Sequence, residues 1–216
     1  MNRHNGSMPE TLLPLFPLPL VLFPRTPLPL HIFEPRYRKL VAECLDSKSE
    51  FGIVQASDRG VANTGCTASI ERVIKRYDDG RMDIITLGRR RFELLRLNDD
   101  LEYLRGEVQY FSDDDPEQAS SDLKQRALDA YQTLSELDED EELPEADEED
   151  DQLSFLLAQP VQDLQFRQVL LGLKSESARL KQLIEFIPTY VSKQQRITHV
   201  KEVAPRNGHS TWPSNL

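Results

Sequence analysis

The segment from Pro14 to Pro35 (PLFPLPLVLFPRTPLPLHIFEP) carries seven of the chain's fourteen prolines, and apart from Arg25, Thr26, His31 and Glu34 its residues are all apolar. Proline lacks a backbone donor and its ring clashes with the preceding helical turn. Neither a membrane-spanning helix nor a signal-peptide helix is therefore compatible with this stretch. Each residue before a proline is pushed toward extended geometry. The segment reads as short extended pieces joined by fixed turns, and their apolar side chains require a core.

At 216 residues the chain can hold one or two domains with a real core. Its formal charge is −11, yet Asp138 to Asp151 contains eleven acidic side chains and no basic one, so the remainder sums to −11 + 11 = 0. The run reads as a solvated, self-repelling linker between balanced parts. The two cysteines, Cys44 and Cys66, lie in unrelated contexts with no secretory signal before them, which points to free thiols in a cytoplasmic setting. His4, His31, His199 and His209 show no ligand spacing with each other or with the cysteines, so no metal is expected.

Pro35 suits the first turn of a helix, and Tyr37, Leu40, Val41, Cys44 and Leu45 then recur on one helical face, predicting a helix that ends near residues 46–48. Phe51–Gln55 reads as a buried strand followed by a loop to Gly65. Thr67–Tyr77 and Arg81–Leu87 read as hairpin arms around the Asp78-Asp79-Gly80 turn. Gly88 is expected to break the run before further strands at Arg91–Leu97 and Leu104–Phe111. Short strands with one helix predict a mostly antiparallel barrel or sandwich.

The character changes near residues 112–120. Apolar stripes at Leu123–Leu137, Leu153–Leu157, Phe166–Leu173 and Leu180–Ile187 predict a helical bundle, with Ser175 near an N-cap and Pro188 ending or kinking the last helix. The resulting division is a β-rich domain over 11–112 and a helical subdomain over 120–196 with an acidic linker at 138–151. Flexible tails are expected at 1–10 and 201–216.

Signatures of chemistry are missing from the sequence. It has no phosphate loop, H-E-x-x-H, G-x-S-x-G or C-x-x-C, so neither catalytic residues nor a cofactor is expected. The densest basic cluster is Arg89, Arg90 and Arg91. Arg72, Lys75, Arg76, Arg81 and Arg96 lie nearby in sequence, and in a hairpin several of this set would share a face and offer a phosphate-binding patch, the basis of an alternative RNA-binding reading that uses the Arg89–Arg91 face. Interleaved Asp78, Asp79, Asp83, Glu93, Asp99 and Asp100 favour cross-strand ion pairing instead.

Leu13 to Leu18, Phe23-Pro24 and the run from Pro27 through Ile32-Phe33-Glu34-Pro35-Arg36-Tyr37-Arg38 resemble the N-terminal substrate-recognition domain of Lon ATP-dependent proteases. Phe51–Val54, Gly65–Ala68 and Gly88–Phe92 fall where that family has comparable strands, and the resemblance covers about residues 11–195. It implies an α+β fold: a PUA-like antiparallel β pseudo-barrel with one embedded helix, followed by an α-helical bundle subdomain. It further implies a non-catalytic module without the ATPase and protease domains. Such a module binds protein or unfolded peptide segments, as an adaptor to a separate protease or chaperone; no membrane role is expected, since no apolar run approaches the roughly 18–20 residues that span a bilayer. One departure is Arg25, where the family often has Gly; the acidic run is another. Leu15, Phe16, Leu18, Val21, Leu22, Leu30 and Ile32 are expected to line the barrel core; Leu22, Phe23, Arg25, Thr26 and Leu28 are the contact candidates, on the alternative that the Leu20–Leu30 loop leaves some apolar side chains exposed.

Overall fold

The computed structural model describes residues 12–115, 118–137 and 143–203. The expected tail at 1–10, most of that at 201–216, and residues 138–142 of the acidic run lie outside the described residues. Six strands run in the order β1 (Leu13–Leu18), β2 (Pro27–Ile32), β3 (Phe51–Ser57), β4 (Gly60–Arg76), β5 (Met82–Asn98) and β6 (Arg105–Phe111), with α1 (Pro35–Ser47) between β2 and β3. Helices α2 (Ser121–Gln132), α3 (Leu153–Leu157), α4 (Leu164–Gly172) and α5 (Glu176–Val203) follow. The fold is α+β. By contact density the described residues form two compact units. One holds the chain up to Asp114 together with Val161–Lys174, and the other holds Asp115–Pro160 and the chain from Ser175 onward.

In the first unit the sheet order is β2-β5-β4-β3-β1-β6, and β6 also pairs with β5, so five strands close into a barrel. Among the described residues only β1 and β3 pair in parallel; the remaining pairings are antiparallel. Closure depends on β5 being long enough to serve two sheets. Met82–Leu87 pairs with β2, and Arg91–Asn98 pairs with β6. The break expected at Gly88 does not occur. The ladder absorbs the change of direction by register shifts, between Cys66 and Ala68 and between Leu94 and Arg96. Likewise the loop expected before Gly65 is the first part of β4.

Gly88 supports a close approach of backbone to backbone. A Cβ there would lie 2.0 Å from the Phe23 carbonyl oxygen. The Arg25 N–H donates to the Gly88 carbonyl at 2.8 Å and the Gly88 N–H donates to the Thr26 carbonyl at 2.9 Å. The turn between them holds Arg25 at φ +59°, a left-handed conformation that costs a side-chain-bearing residue about 1 kcal/mol. That is the physical sense of a glycine preference at this position.

Helix α1 docks its Tyr37, Leu40, Val41 and Cys44 face inward, and Phe16 of β1 stacks on Tyr37 with ring centroids 3.9 Å apart. Leu13, Leu15, Val54 and Phe92 form the barrel centre. Both cysteines are buried, and burial pushes the Cys66 thiol up to about 12.

The third apolar stripe groups with the strands rather than with the bundle. Phe166, Leu170 and Leu171 of α4 are buried whereas Val169 is 54% exposed. Gln168 donates its side-chain amide to the Thr64 carbonyl of β4 at 2.9 Å. Arg167 reaches the Val21 carbonyl at 3.0 Å and lies over the Phe23 ring.

In the second unit Ser120 caps α2 by accepting from the Leu123 N–H, and the Ser175 hydroxyl accepts from the Ala178 N–H at the start of α5. Helix α5 continues through Pro188 to Val203 instead of ending there. Leu180, Leu183, Ile187, Tyr190 and Val191 are buried on both sides of the proline, so tertiary packing outweighs one lost backbone bond. Beneath α5 the fully buried Arg179 donates to Glu176 Oε2 at 2.7 Å and to the Ser154 hydroxyl oxygen at 2.8 Å. Glu176 also accepts from the Ser154 N–H at 2.8 Å, which ties α3 to α5.

Two outcomes test this account by denaturant unfolding. Arg179→Ala leaves Glu176 buried without its cation and is expected to cost about 3–5 kcal/mol. Gly88→Ala is expected to cost about 1–3 kcal/mol through overpacking against Phe23, while Arg25→Gly is expected to be neutral or slightly stabilising.

Candidate functional site

The alternation in Pro27-Leu28-Pro29-Leu30-His31-Ile32-Phe33 separates two faces of β2. Leu28, Leu30 and Ile32 pair with Thr86, Ile84 and Met82, which are buried. Pro27, Pro29 and His31 pair with Leu87, Ile85 and Asp83, and across β5 these continue to Ser69, Arg72 and Lys75 of β4. Paired residues share a face, so the second set forms the outer side of a three-stranded β2–β5–β4 sheet. Pro27, Pro29, His31, Arg72 and Lys75 are exposed on it, Ile85 and Leu87 are half-buried, and Phe33 just beyond β2 is 58% exposed. With strands about 4.8 Å apart and about 3.3 Å per residue, the face is roughly 10 Å wide and 20 Å long, room for one segment of about six extended residues.

An aromatic cluster closes one end of this face. The rings of Phe33 and His31 stack with centroids 5.9 Å apart, and Tyr77 meets His31 edge-on at 5.9 Å. His31 Nδ1 is 2.5 Å from Asp83 Oδ1, and the Tyr77 hydroxyl donates to Asp83 Oδ2 at 2.8 Å. These bonds, first from His31 and then from Tyr77, hold the Asp83 carboxyl below the usual carboxylate range. The same bond pushes the Tyr77 hydroxyl up, because ionising it would leave Asp83 facing a second negative charge. Lys75 Nζ lies 4.4 Å from the Tyr77 ring centroid and the Arg81 guanidinium 5.0 Å from it.

The strand edge is less able to bind than the face. The Gly88 N–H bonds to the Thr26 carbonyl, so the ladder alternation assigns the inward-bonded positions to residues 26, 28, 30 and 32. Pro27 and Pro29 therefore occupy the outward positions, where their missing N–H groups remove donors from the free edge. A strand-edge hydrogen-bonding mode, natural for a peptide binder, finds little to pair with there.

The sequence-derived candidates are dispersed. Leu22 and Phe23 are buried, at 3% and 0% exposure, which agrees with the core reading of Leu22; Phe23 lies under Arg167 of α4, and neither is an exposed apolar contact. Leu28 lies on the inner face of β2, half-buried; Thr26 is half-buried and Arg25 is exposed in the turn. The outer-face positions Pro27, Pro29, His31 and Phe33 are not among those candidates, although the period-two pattern that sorts them is legible in the sequence.

The three arginines do not share a face. Arg89 bonds to Ser69 and Glu71, and Arg90 bonds to Glu50 and lies over the Tyr110 ring. Arg91 is 3% exposed, donating to Asp113 and to the Leu171 and Leu173 carbonyls at the C-terminal end of α4. It acts as a buried cap, so a continuous phosphate-binding Arg89–Arg91 patch does not form. Among the described residues no three His, Cys, Asp or Glu side chains converge as metal ligands would, and no helix is long and apolar enough to cross a membrane.

The comparisons agree with this architecture. A Lon N-terminal domain protein from Xanthomonas campestris is 27% identical, with a TM-score of 0.67 over 82% of this chain and 98% of that one. The N-terminal domain of Mycobacterium avium complex Lon protease is 16% identical, with a TM-score of 0.56 over 84% of this chain and 98% of that one, a likeness of fold. Residues 12–199 match the family described as the ATP-dependent protease La (LON) substrate-binding domain. With that match spanning both units of the fold, the chain belongs to the Lon substrate-binding domain family.

Proposed function

We propose that this chain recognises exposed, unfolded segments of protein substrates on the outer face of the β2–β5–β4 sheet, and that it does so without catalysis of its own. Membership in a substrate-binding family supports a recognition role. The observation that carries the assignment to this face is its apolar and aromatic side chains, with Phe33 58% exposed against His31 at one end and Pro29, Ile85 and Leu87 along the rest of its length. A solvated sheet face ordinarily carries polar side chains; an apolar one marks a contact surface. The prolines add rigidity, so little conformational entropy is lost on binding. Such a module serves as an adaptor, presenting a bound segment to a separate protease or chaperone.

The reading is tested by fluorescence anisotropy with a labelled, permanently unfolded polypeptide. Binding in the micromolar range is expected. The Phe33→Ala, Ile85→Ser double variant is expected to weaken it about tenfold, corresponding to about 1.4 kcal/mol of lost apolar contact. No binding at high micromolar concentration, or binding unchanged in the variant, would remove the face from consideration.

The Asp83 cluster has a defined pH response. Its folded pKa is lower than the ordinary value of 3.8, so its contribution to order is present above that pH and is lost as pH falls through the depressed value. NMR of the Asp83 carboxyl carbon is expected to titrate below pH 3.8 in the parent chain and closer to it in Tyr77→Phe.

A further inference from the structure

Charge on the proposed face is one-sided. Arg72 and Lys75 project from β4 along one border, both are exposed, and neither makes an ion pair among the described residues. The neighbouring charges are already engaged. Arg81 pairs with Asp79 at 2.7 Å, Arg89 pairs with Glu71 at 2.8 Å, and Asp83 accepts from His31 and Tyr77. Lys75 also acts on Asp83 electrostatically, so the one carboxylate in the middle of the face meets donors and positive charge on three sides. Asp78 is exposed in the hairpin turn, beyond the row formed by Lys75, Asp83 and His31. A segment lying along the face thus meets apolar Pro29 and Ile85, then the His31–Asp83 pair and Phe33, and has two cations at its β4 side.

Resting on the recognition role proposed above, we infer that the face selects apolar segments flanked by acidic residues. Charge complementarity at the Arg72–Lys75 border provides the preference, and the apolar floor provides most of the contact. This selection runs against the chain's overall charge of −11, which repels acidic partners at long range. Screening decides which field a bound segment feels. At physiological ionic strength charges beyond about 8 Å are damped, so the two adjacent cations dominate once contact is made. The bulges of β4, between Ile70 and Arg72 and between Val73 and Lys75, keep both cations on the outer face in rows that also hold Ile85 and Asp83.

The test uses the full chain and two labelled peptides of equal length and equal apolar content, one flanked by Asp and Glu, the other by Lys and Arg. The acidic peptide is expected to bind about tenfold more tightly at low salt, the scale of two exposed charge contacts, with the ratio narrowing as salt rises. Arg72→Glu, Lys75→Glu is expected to abolish or reverse the ratio, with an unchanged melting curve showing that the variant is folded. Arg72→Ala, Lys75→Ala is expected to bring it near one. Equal binding of both peptides, or preference for the basic one, overturns the inference while leaving the recognition role standing. A preference for the acidic peptide that survives both variants overturns the assignment to this border. Binding of neither peptide removes the recognition role itself. Tight binding of a single-stranded oligonucleotide that is lost in the charge-reversed variant overturns a peptide as the occupant.

Discussion

The contact between the Phe23 carbonyl and Gly88 sets the geometry on which the rest of the barrel unit depends. Only a residue without Cβ lets the two backbones approach so closely, and the approach fixes the turn through Pro24 and Arg25. The turn in turn fixes the register of β2 on β5, pairing Pro27 with Leu87 and every second residue after it. A slip of one residue would exchange the faces, burying Pro27, Pro29 and His31 and exposing Leu28, Leu30 and Ile32. The outer face is thus a consequence of one close contact some distance from the Phe33 end.

The same prolines that make the segment stiff also govern how it is able to bind. At outward positions of a free edge they cost no ladder hydrogen bond, and they withhold donors from any strand that approaches. On the opposite side of the sheet, the uncovered part of β4 carries two bulges and exposed cations, a second way of discouraging edge pairing. On the proposed reading, what is left for contact is the flat side of the sheet, where side chains rather than backbone groups would meet a partner. Recognition of unfolded segments by side-chain contact tolerates varied sequence, since apolar surface is not directional.

Charged residues divide by depth in a way that composition does not reveal. Arg89 and Arg90 lie in ion pairs at the surface, worth little individually. Arg91, next in the chain, is buried and holds the end of α4 through its carbonyl contacts. Arg179 is buried likewise, between Glu176, Ser154 and the Phe155 ring. Removing such a buried group leaves its partners without water or counter-charge, so these two arginines weigh more in folding than the exposed arginines together.

Local sequence rules were sufficient to read the extended proline segment, the Pro35-initiated α1, the Asp78–Gly80 hairpin and the Ser175 start of α5, because each depends on a few neighbouring residues. They were sufficient also for the resemblance to the Lon recognition domain. They failed where distant contacts decide. Gly88 looked like a break because its partner is Phe23, sixty-five residues earlier. Pro188 looked like an end or a kink, and the helix does not end there because the packing on both sides of it is tertiary. Phe23 looked available because nothing nearby in sequence announces Arg167 above it. The sequence by itself determined that the Pro14–Pro35 stretch would be extended, apolar and stiff. Its alternation also sorted core from solvent side chains; only the tertiary structure decided that Arg167 covers Phe23 and that Ile85, Arg72 and Lys75 share the outer face with β2, because those contacts come from residues distant in the chain.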